Sequence, residues 1–245
     1  MRTIAALITA ALITLGFTPA ASAAQDTPAV FVVAHQDDEA LTFASGIVQH
    51  VDAGQRVIVV VATDGGAAHV PHVDKYLGRD ATPQEITAHR DFEFGWTVEN
   101  MGAEWVIPPV RGRDGQLGDD GADQVMQWVL NTYGADARVK THSMYDTHRD
   151  HAALGRSLQR LHDTQGTDAR FYIPPHKVDQ IGGASAIPTR LYEARRPMKP
   201  NHWAAYELWA PEKADNRYWA VPSGAVKSLI RKHKADPLTY SHRPL

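Results

Sequence analysis

The stretch Ala29-Val30-Phe31-Val32-Val33-Ala34, followed at once by His35-Gln36-Asp37-Asp38-Glu39, decides the fold. Its first half is a continuous apolar, β-branched run, which is typical of a strand buried on both faces of a parallel sheet. Its second half is polar and rich in ionisable side chains. Ligands of parallel α/β sheets bind at the carboxyl ends of the strands. The stretch therefore predicts a buried first strand that delivers a chemical site to one edge of a sheet.

Strands and helices alternate along the chain after this stretch. Helical spacing of apolar residues recurs around 41–51, 83–101, 121–133 and 151–162, and Thr82-Pro83-Gln84-Glu85 is a capping box that opens the second of these helices. The predicted strands are Val30–Ala34, Arg56–Thr63, Glu104–Ile107, Arg138–His142 and Arg170–Ile173. This alternation predicts an α/β fold with a Rossmann-like, doubly wound, mostly parallel sheet and a site at the C-terminal strand ends.

A second polar motif, His148-Arg149-Asp150-His151, follows the fourth predicted strand and should reach the same edge of the sheet. His35, Asp38 and His151 can supply two imidazoles and one carboxylate to Zn²⁺ and leave one coordination position open for water. Asp37 is then a spare carboxylate beside the metal, suited to act as general base. The two motifs together predict a metal hydrolase.

The two motifs resemble those of the LmbE/PIG-L family of zinc-dependent N-deacetylases, which read Ala-His-Pro-Asp-Asp-Glu and His-Pro-Asp-His. Gln36 and Arg149 stand at the two proline positions of those motifs. Weaker matches to the family are Thr63-Asp64-Gly65, Arg90 with Glu93, and Arg113-Asp114-Gly115-Gln116-Leu117. The matches lie in the first two thirds of the chain, and the region from about Lys177 onward carries none.

The resemblance implies roles for individual residues. The metal ligands would be His35, Asp38 and His151, with Asp37 as the base. His148 would face the substrate as an imidazolium that stabilises the oxyanion and passes a proton to the leaving amine.

Three further residues have expected roles at this site. Asp150 is expected to orient His148 and raise its pKa, although it could equally cap a helix. Arg90 and Asp114 would contact polar groups of the substrate, the guanidinium binding anionic or hydroxyl groups and the carboxylate binding sugar hydroxyls.

The N-terminus carries Arg2, an apolar core Ile4–Phe17 and the small-residue sequence Ala21-Ser22-Ala23, which predict a secretory signal peptide over residues 1–23. The apolar core is shorter than the roughly 20 residues of a membrane span, so no stable membrane insertion is expected. Residues 24–245 are then expected to form a single deacetylase-like domain, secreted to the cell envelope or outside after cleavage near Ala23.

Composition excludes several kinds of protein. The chain has 245 residues and no cysteine, which excludes a thiolate zinc site and disulfides. Its formal net charge of −3 argues against a nucleic-acid partner bound by bulk electrostatics. No protein partner is evident. The basic run Lys227, Arg231, Lys232 and Lys234 is interpreted as the solvated face of a helix.

Two other features have a structural and a functional interpretation. His69 and His72 could bind a second metal, but a lid over the pocket is the preferred interpretation. Several aromatic residues in the last third of the chain could stack on sugar rings, but core packing is the preferred interpretation. These residues are Trp203, Tyr206, Trp209, Tyr218 and Trp219.

The sequence thus predicts an exported Zn²⁺-dependent hydrolase that removes an acetyl or other acyl group from the amide nitrogen of an amino sugar or glycoconjugate. One alternative is a non-haem Fe(II) oxygenase, because two histidines and one carboxylate also form that metal site. Those enzymes place the ligands on a β-barrel, unlike the alternating α/β pattern here. The other alternative is a secreted carbohydrate-binding protein on the same scaffold, which would need neither Asp37 nor His148.

Overall fold

The structure is a computed structural model that describes residues 27–209, 219–222 and 226–245. The predicted signal peptide, its cleavage site near Ala23 and the aromatic residue Tyr218 lie outside these residues. Within the described part of the chain, no helix has the length and apolar character needed to cross a membrane.

The described residues form a seven-stranded sheet with the strand order β3-β2-β1-β4-β5-β7-β6. Strands β1 to β5 run parallel, and β7 lies antiparallel between β5 and β6. The strands are β1 Ala29–Val33, β2 Val57–Val61, β3 Glu104–Val106, β4 Arg138–His142, β5 Ala169–Ile173, β6 Tyr192–Ala194 and β7 Thr239–His242. The five predicted strands are β1 to β5, and the predicted Rossmann-like, mostly parallel sheet is confirmed.

Helices connect the parallel strands. The capping box is present at the start of α4, where the Glu85 backbone N–H donates to Thr82 Oγ1 at 3.3 Å and the Thr82 backbone N–H donates to Glu85 Oε2 at 2.9 Å. The helices are α1 Asp38–Leu41, α2 Ala44–Asp52, α3 Pro71–Leu77, α4 Pro83–Asn100, α5 Gly118–Tyr133, α6 Arg149–Gln165, α7 Pro175–Gln180, α8 Ala204–Glu207 and α9 Lys227–Ala235.

The central strands are buried on both faces because helices cover each side of the sheet. Val30 and Val32 of β1 pack against α5 and α6. Phe31 and Val33 point the other way and pack against α2 and α4. This two-sided burial explains why β1 reads as a continuous apolar run rather than an alternating one.

The C-terminal third adds the β6–β7 pair, which the sequence did not predict. Trp203, Tyr206 and Trp219 are buried, so packing is the correct interpretation for these three, whereas Trp209 is 39% exposed. Ile230 of α9 packs in the cluster of Trp203 and Tyr206 while the basic residues of that helix face outward, as expected.

The strand order reverses between β1 and its neighbour β4, which places a crevice at the carboxyl ends of these two strands. The first motif follows β1, and the second motif begins six residues after β4 ends. The fold therefore brings both motifs to one crevice, as the sequence predicts.

Candidate active site

Three side-chain atoms form a nearly equilateral triangle at the crevice. His35 Nδ1, Asp38 Oδ2 and His151 Nε2 are each 3.3 Å from the other two. Ligand atoms about 2.0–2.2 Å from a tetrahedral zinc ion are separated by about 3.3–3.5 Å. The three predicted ligands thus have the spacing that such an ion requires. Among the described residues, every group of three or more potential metal ligands falls in this crevice.

Neighbouring carboxylates fix the tautomers of the two imidazoles. His151 Nδ1 is 3.0 Å from Asp146 Oδ2, so this nitrogen donates its proton to Asp146, and in the neutral ring the lone pair is on Nε2, which faces Asp38. His35 Nε2 is 3.1 Å from Asp150 Oδ2 and 3.2 Å from Asp114 Oδ1. When the His35 ring is neutral, its proton is therefore on Nε2 and its Nδ1 lone pair is also directed into the triangle, so both nitrogens can bind a cation in place of a proton.

The triangle is strongly polarised. Burial lowers the pKa of His35, but Asp114, Asp150 and Asp38 outweigh burial and raise it well above its ordinary value. Asp38 and Asp146 similarly raise the pKa of His151 to about 9 against the effect of burial. Asp38 is buried, yet His151 and His142 hold its pKa well below the usual range. The site thus concentrates negative charge that a proton or a metal ion can neutralise.

Asp37 has a strained backbone, with φ 136° and ψ −22°. Its backbone N–H donates to Glu39 Oε2 at 3.0 Å, and its carboxylate lies 3.2 Å from Arg90 Nη2. Burial raises the pKa of Asp37 to about 6 although Arg90 lowers it; the charge of Asp38 adds to the rise. A non-glycine residue at such φ is held by its surroundings, and strain of this kind is concentrated at active sites.

Arg90 is buried beside Asp37. It is 5% exposed, and its guanidinium donates to the carbonyl oxygens of Gln36 and Gly65, the latter at 3.1 Å, in addition to Asp37. These acceptors bond to both terminal nitrogens, so Arg90 holds the loop that carries Asp37; its contact with the substrate stays a prediction. Asp114 lies at the site, where it contacts His35 and stands 3.7 Å from Arg90 Nη1.

Glu39 links the first motif to the C-terminal third of the chain. It is fully buried, and its second carboxyl oxygen bonds to the hydroxyl of Tyr206 on α8. Burial raises the pKa of Glu39 to about 8 even though the Tyr206 hydroxyl lowers it. The aromatic region thus supports the strained Asp37 peptide through Glu39, a contact that sequence reasoning missed.

The negative charge of Asp150 raises the pKa of His148, as expected, but the Asp150 carboxylate makes its hydrogen bonds to other groups. The Asp150 carboxylate accepts the backbone N–H groups of Gly115 at 2.7 Å and Leu117 at 3.1 Å and contacts His35. His148 itself caps α6, because its Nδ1 accepts the Asp150 backbone N–H at 3.3 Å. Burial lowers the pKa of His148, and the positive charges of His151 and His35 lower it further, while Asp38 and Asp150 oppose this shift.

Two buried residues at the site were missed from the sequence. Asp146 bonds to His151 as described above. His142 ends β4, is fully buried, and stacks on the ring of His151 with 3.7 Å between ring centroids. Its Nε2 accepts the Ala34 backbone N–H at 3.1 Å and lies 3.4 Å from Asp38 Oδ2. The sequence could have indicated His142, because it ends the predicted strand β4 and the site lies at the carboxyl ends of the strands.

His69 and His72 belong to none of the potential metal groups found among the described residues. His72 Nε2 donates to the Trp219 carbonyl oxygen at 2.8 Å, so this histidine joins α3 to the segment around Trp219.

Comparison with known proteins identifies the same region of the chain. Residues 30–161 match the PIG-L family, described as GlcNAc-PI de-N-acetylase. This range contains both motifs and all the site residues except Tyr206. The sequence has no significant match among curated proteins.

Several solved structures share the fold. The A40926 pseudoaglycone deacetylase superposes with a TM-score of 0.59 at 14% identity, over 90% of this chain and 97% of that one. A deacetylase–teicoplanin complex of the teicoplanin biosynthesis pathway superposes with a TM-score of 0.57 at 14% identity, over 89% of this chain and 98% of that one. The zinc-inhibited form of teicoplanin deacetylase superposes with a TM-score of 0.52 at 13% identity, over 89% of this chain and 98% of that one. At this identity these likenesses describe the fold.

Proposed function

Because the chain belongs to the PIG-L family of GlcNAc-PI de-N-acetylases, we propose that it is a zinc-dependent N-deacetylase whose metal ligands are His35, Asp38 and His151. Membership of this family supports the inference that the protein is a deacetylase of amino-sugar-like substrates. The observation that carries the metal proposal is the 3.3 Å triangle of His35 Nδ1, Asp38 Oδ2 and His151 Nε2, with both imidazole lone pairs directed into it. Two nitrogens and one carboxylate oxygen form a ligand set that suits Zn²⁺ and leaves one position open.

When bound, the metal would acidify a water molecule and polarise the amide carbonyl. Asp37 would serve as the base that accepts a proton from the attacking water and as the acid that returns it to the leaving nitrogen when the C–N bond breaks. A pKa of about 6, raised by burial, suits a carboxylate that must both accept and release a proton near neutral pH. Arg90 and Glu39 hold the Asp37 backbone and carboxylate in place for this transfer.

His148 supplies a neutral hydrogen-bond donor in this mechanism. Its Nδ1 accepts the Asp150 N–H, so the neutral ring carries its proton on Nε2. The rings of His35 and His151 lie 4.7 Å and 4.6 Å away, centroid to centroid, which places His148 beside the triangle. The Nε2–H then donates to the developing oxyanion without an ionised imidazole. Asp150 and Asp146 act through the metal ligands by fixing their tautomers.

The proposed substrate is an N-acylated amino sugar or glycoconjugate. The test is to incubate the purified protein with a panel of N-acetylated sugars and longer N-acyl analogues and to measure free amine. Teicoplanin deacetylase has been solved in a zinc-inhibited form, so the assay starts from one Zn²⁺ per chain instead of an excess. Amine release that requires His35 supports the proposal, and release by the His35→Ala variant at the same rate contradicts it.

The proposed location is outside the cytoplasm, on the strength of the signal peptide predicted over residues 1–23. Mass spectrometry of the protein secreted by an expressing cell should find an N-terminus at or near Ala24. Recovery of soluble protein that still begins at Met1 would contradict export.

A further inference from the structure

A second polar cavity lies on the α2 side of the sheet, away from the crevice described above. It has a volume of about 390 Å³ and is bounded by the last turn of α2, by β4 and β5, and by the β6–β7 pair. None of the residues proposed for metal binding or catalysis lines it. Its charged and aromatic lining includes Arg138, Lys140, Asp168, Arg170, Tyr192 and Glu193.

Two cations stand side by side in this cavity. Lys140 of β4 and Arg170 of β5 are partners in the parallel register. Neighbouring strands are about 4.8 Å apart, and like charges on directly opposite positions destabilise a sheet. Both side chains line the cavity, so they share one face of the sheet. This arrangement needs a compensating negative charge.

The protein itself does not provide that charge at close range. Within the described ranges, no carboxylate oxygen lies within 4 Å of Lys140 Nζ or of the Arg170 guanidinium. Asp168 lies 3.9 Å from Arg138, and Glu193 lies 3.3 Å from Arg195. The two acidic residues of the lining are therefore nearest to other cations.

Lys140 is the most unusual member of the pair because it is only 6% exposed. Its ammonium donates to the Arg138 carbonyl oxygen at 3.2 Å and lies 5.6 Å from the centre of the Phe31 ring. A buried ammonium with one neutral acceptor is costly. Burial lowers the pKa of Lys140 to about 8; Asp168 opposes this shift, and Arg138 and Arg170 reinforce it.

Arg170 is positioned by an aromatic ring. Its guanidinium carbon lies 5.4 Å from the centre of the Tyr192 ring, and that of Arg190 lies 5.2 Å from the same ring. Such cation–π contacts hold a guanidinium in place while leaving its N–H groups available for hydrogen bonds.

We propose that this cavity binds the phosphate group of a soluble small molecule, held by Lys140 and Arg170. A phosphate carries close to two negative charges near neutral pH and so offsets both cations, whereas a carboxylate offsets one. Lysine and arginine are the usual phosphate-binding side chains, one as a point charge and the other as a bidentate donor. The volume falls within the range of about 300–1,000 Å³ typical of small-molecule sites, so a phosphate together with a small attached group can fit.

Calorimetric titration of the full chain with inorganic phosphate and with phenyl phosphate, at constant ionic strength, tests this site. We expect saturable binding, weakened at least tenfold in Lys140→Met and in Arg170→Gln. Lys227→Met is the matched control, because this exposed lysine of α9 carries the same charge away from the cavity, and its variant should bind phosphate like the wild type. Undiminished binding in both cavity variants, or no saturable binding by the wild type, overturns the proposal.

Two further measurements separate this site from the crevice and from misfolding. The His35→Ala variant should bind phosphate normally; loss of binding there, with retention in Lys140→Met, would place the anion at the metal site and overturn the proposal. Without phosphate, Lys140→Met should melt at the same temperature as the wild type or higher, because methionine removes a buried charge while keeping a similar length. Phosphate should then raise the melting temperature of the wild type but not that of the variant.

Discussion

The Nδ1 atom of His151 lies 3.0 Å from a carboxylate oxygen of Asp146, five residues earlier in the chain. The other oxygen of Asp146 accepts the His148 backbone N–H at 2.8 Å, so one buried carboxylate orients a ring and braces the turn before α6. His151 Nε2, the nitrogen that carries the lone pair when the ring is neutral, faces Asp38 as a result.

Replacing Asp146 with Asn should weaken zinc binding about 10–100-fold, the usual effect of removing a carboxylate that supports a metal-bound histidine. The volume is unchanged, but an amide can present its NH₂ group to His151 and no longer fixes the tautomer. Chelator competition measures the affinity. Asp120→Asn, an exposed residue of α5, is the matched control. Equal zinc affinity in the two variants would show that Asp146 does not support the ligand.

Three histidine-to-alanine variants distinguish the proposed metal ligands His35 and His151 from the neighbouring His148. His35→Ala and His151→Ala should lose stoichiometric zinc, because two remaining ligands hold the ion poorly. His148→Ala should keep it while kcat falls about 10²–10³-fold through loss of the oxyanion donor. Elemental analysis of the purified variants decides the matter. Full zinc content in His35→Ala would remove this residue from the metal site.

Asp37→Asn should lower kcat by about 10²–10⁴-fold, the usual contribution of a positioned general base. Asparagine keeps the volume of the side chain, and the backbone N–H bond from residue 37 to Glu39 is unaffected, so the strained peptide at φ 136° should persist. Zinc content and KM should change little. Near-normal turnover of the zinc-loaded variant would exclude Asp37 as the base and would redirect attention to Glu39.

Glu93 should make the protein less stable as pH rises. It is fully buried on α4 and accepts the Val221 backbone N–H at 3.0 Å and 3.3 Å, and burial raises its pKa to about 8. The folded-state pKa is above the ordinary value of 4.5, so the stabilisation is complete below that pH and is lost as pH rises toward 8, at up to about 1.4 kcal/mol per pH unit.

Urea unfolding of the wild type and of Glu93→Gln at pH 5 and pH 8 measures this effect. The free energy of unfolding of the variant, relative to that of the wild type, should be higher at pH 8 than at pH 5, because glutamine keeps the acceptor oxygen and cannot ionise. An unchanged difference between the two proteins at both pH values would mean that Glu93 does not titrate in this range.

The sequence predicts best what depends on local pattern. β1, β2 and β4 are found at or within a few residues of their predicted bounds, because their apolar runs and their order between helices specify a parallel sheet. β6 and β7 were missed since Tyr192-Glu193-Ala194 and Thr239-Tyr240-Ser241-His242 are short and partly polar and pair across more than forty residues. Their strand character comes from the partner and not from their composition.

The same distinction holds at the site. The triangle atoms belong to the two motifs, so His35, Asp38 and His151 could be named from spacing and resemblance. The partner of Asp150 could not be named, because its carboxylate binds backbone N–H groups of a loop more than thirty residues away. The roles of His142 and Asp146 likewise follow from how the end of β4 packs beside β1.

The position of β7 between β5 and β6 has a consequence for the order in which the protein can be built. Domains begin to fold from the N-terminus during synthesis, but β6 gains its only sheet partner among the described residues when 239–242 have been made. A growing chain can complete the first five strands and both polar motifs while this half of the sheet still has an open edge. Ribosome-stalled chains that stop before residue 239 should therefore expose the backbone of β5 to proteases and to neighbouring chains, and residues 239–242 close this edge by pairing with both β5 and β6.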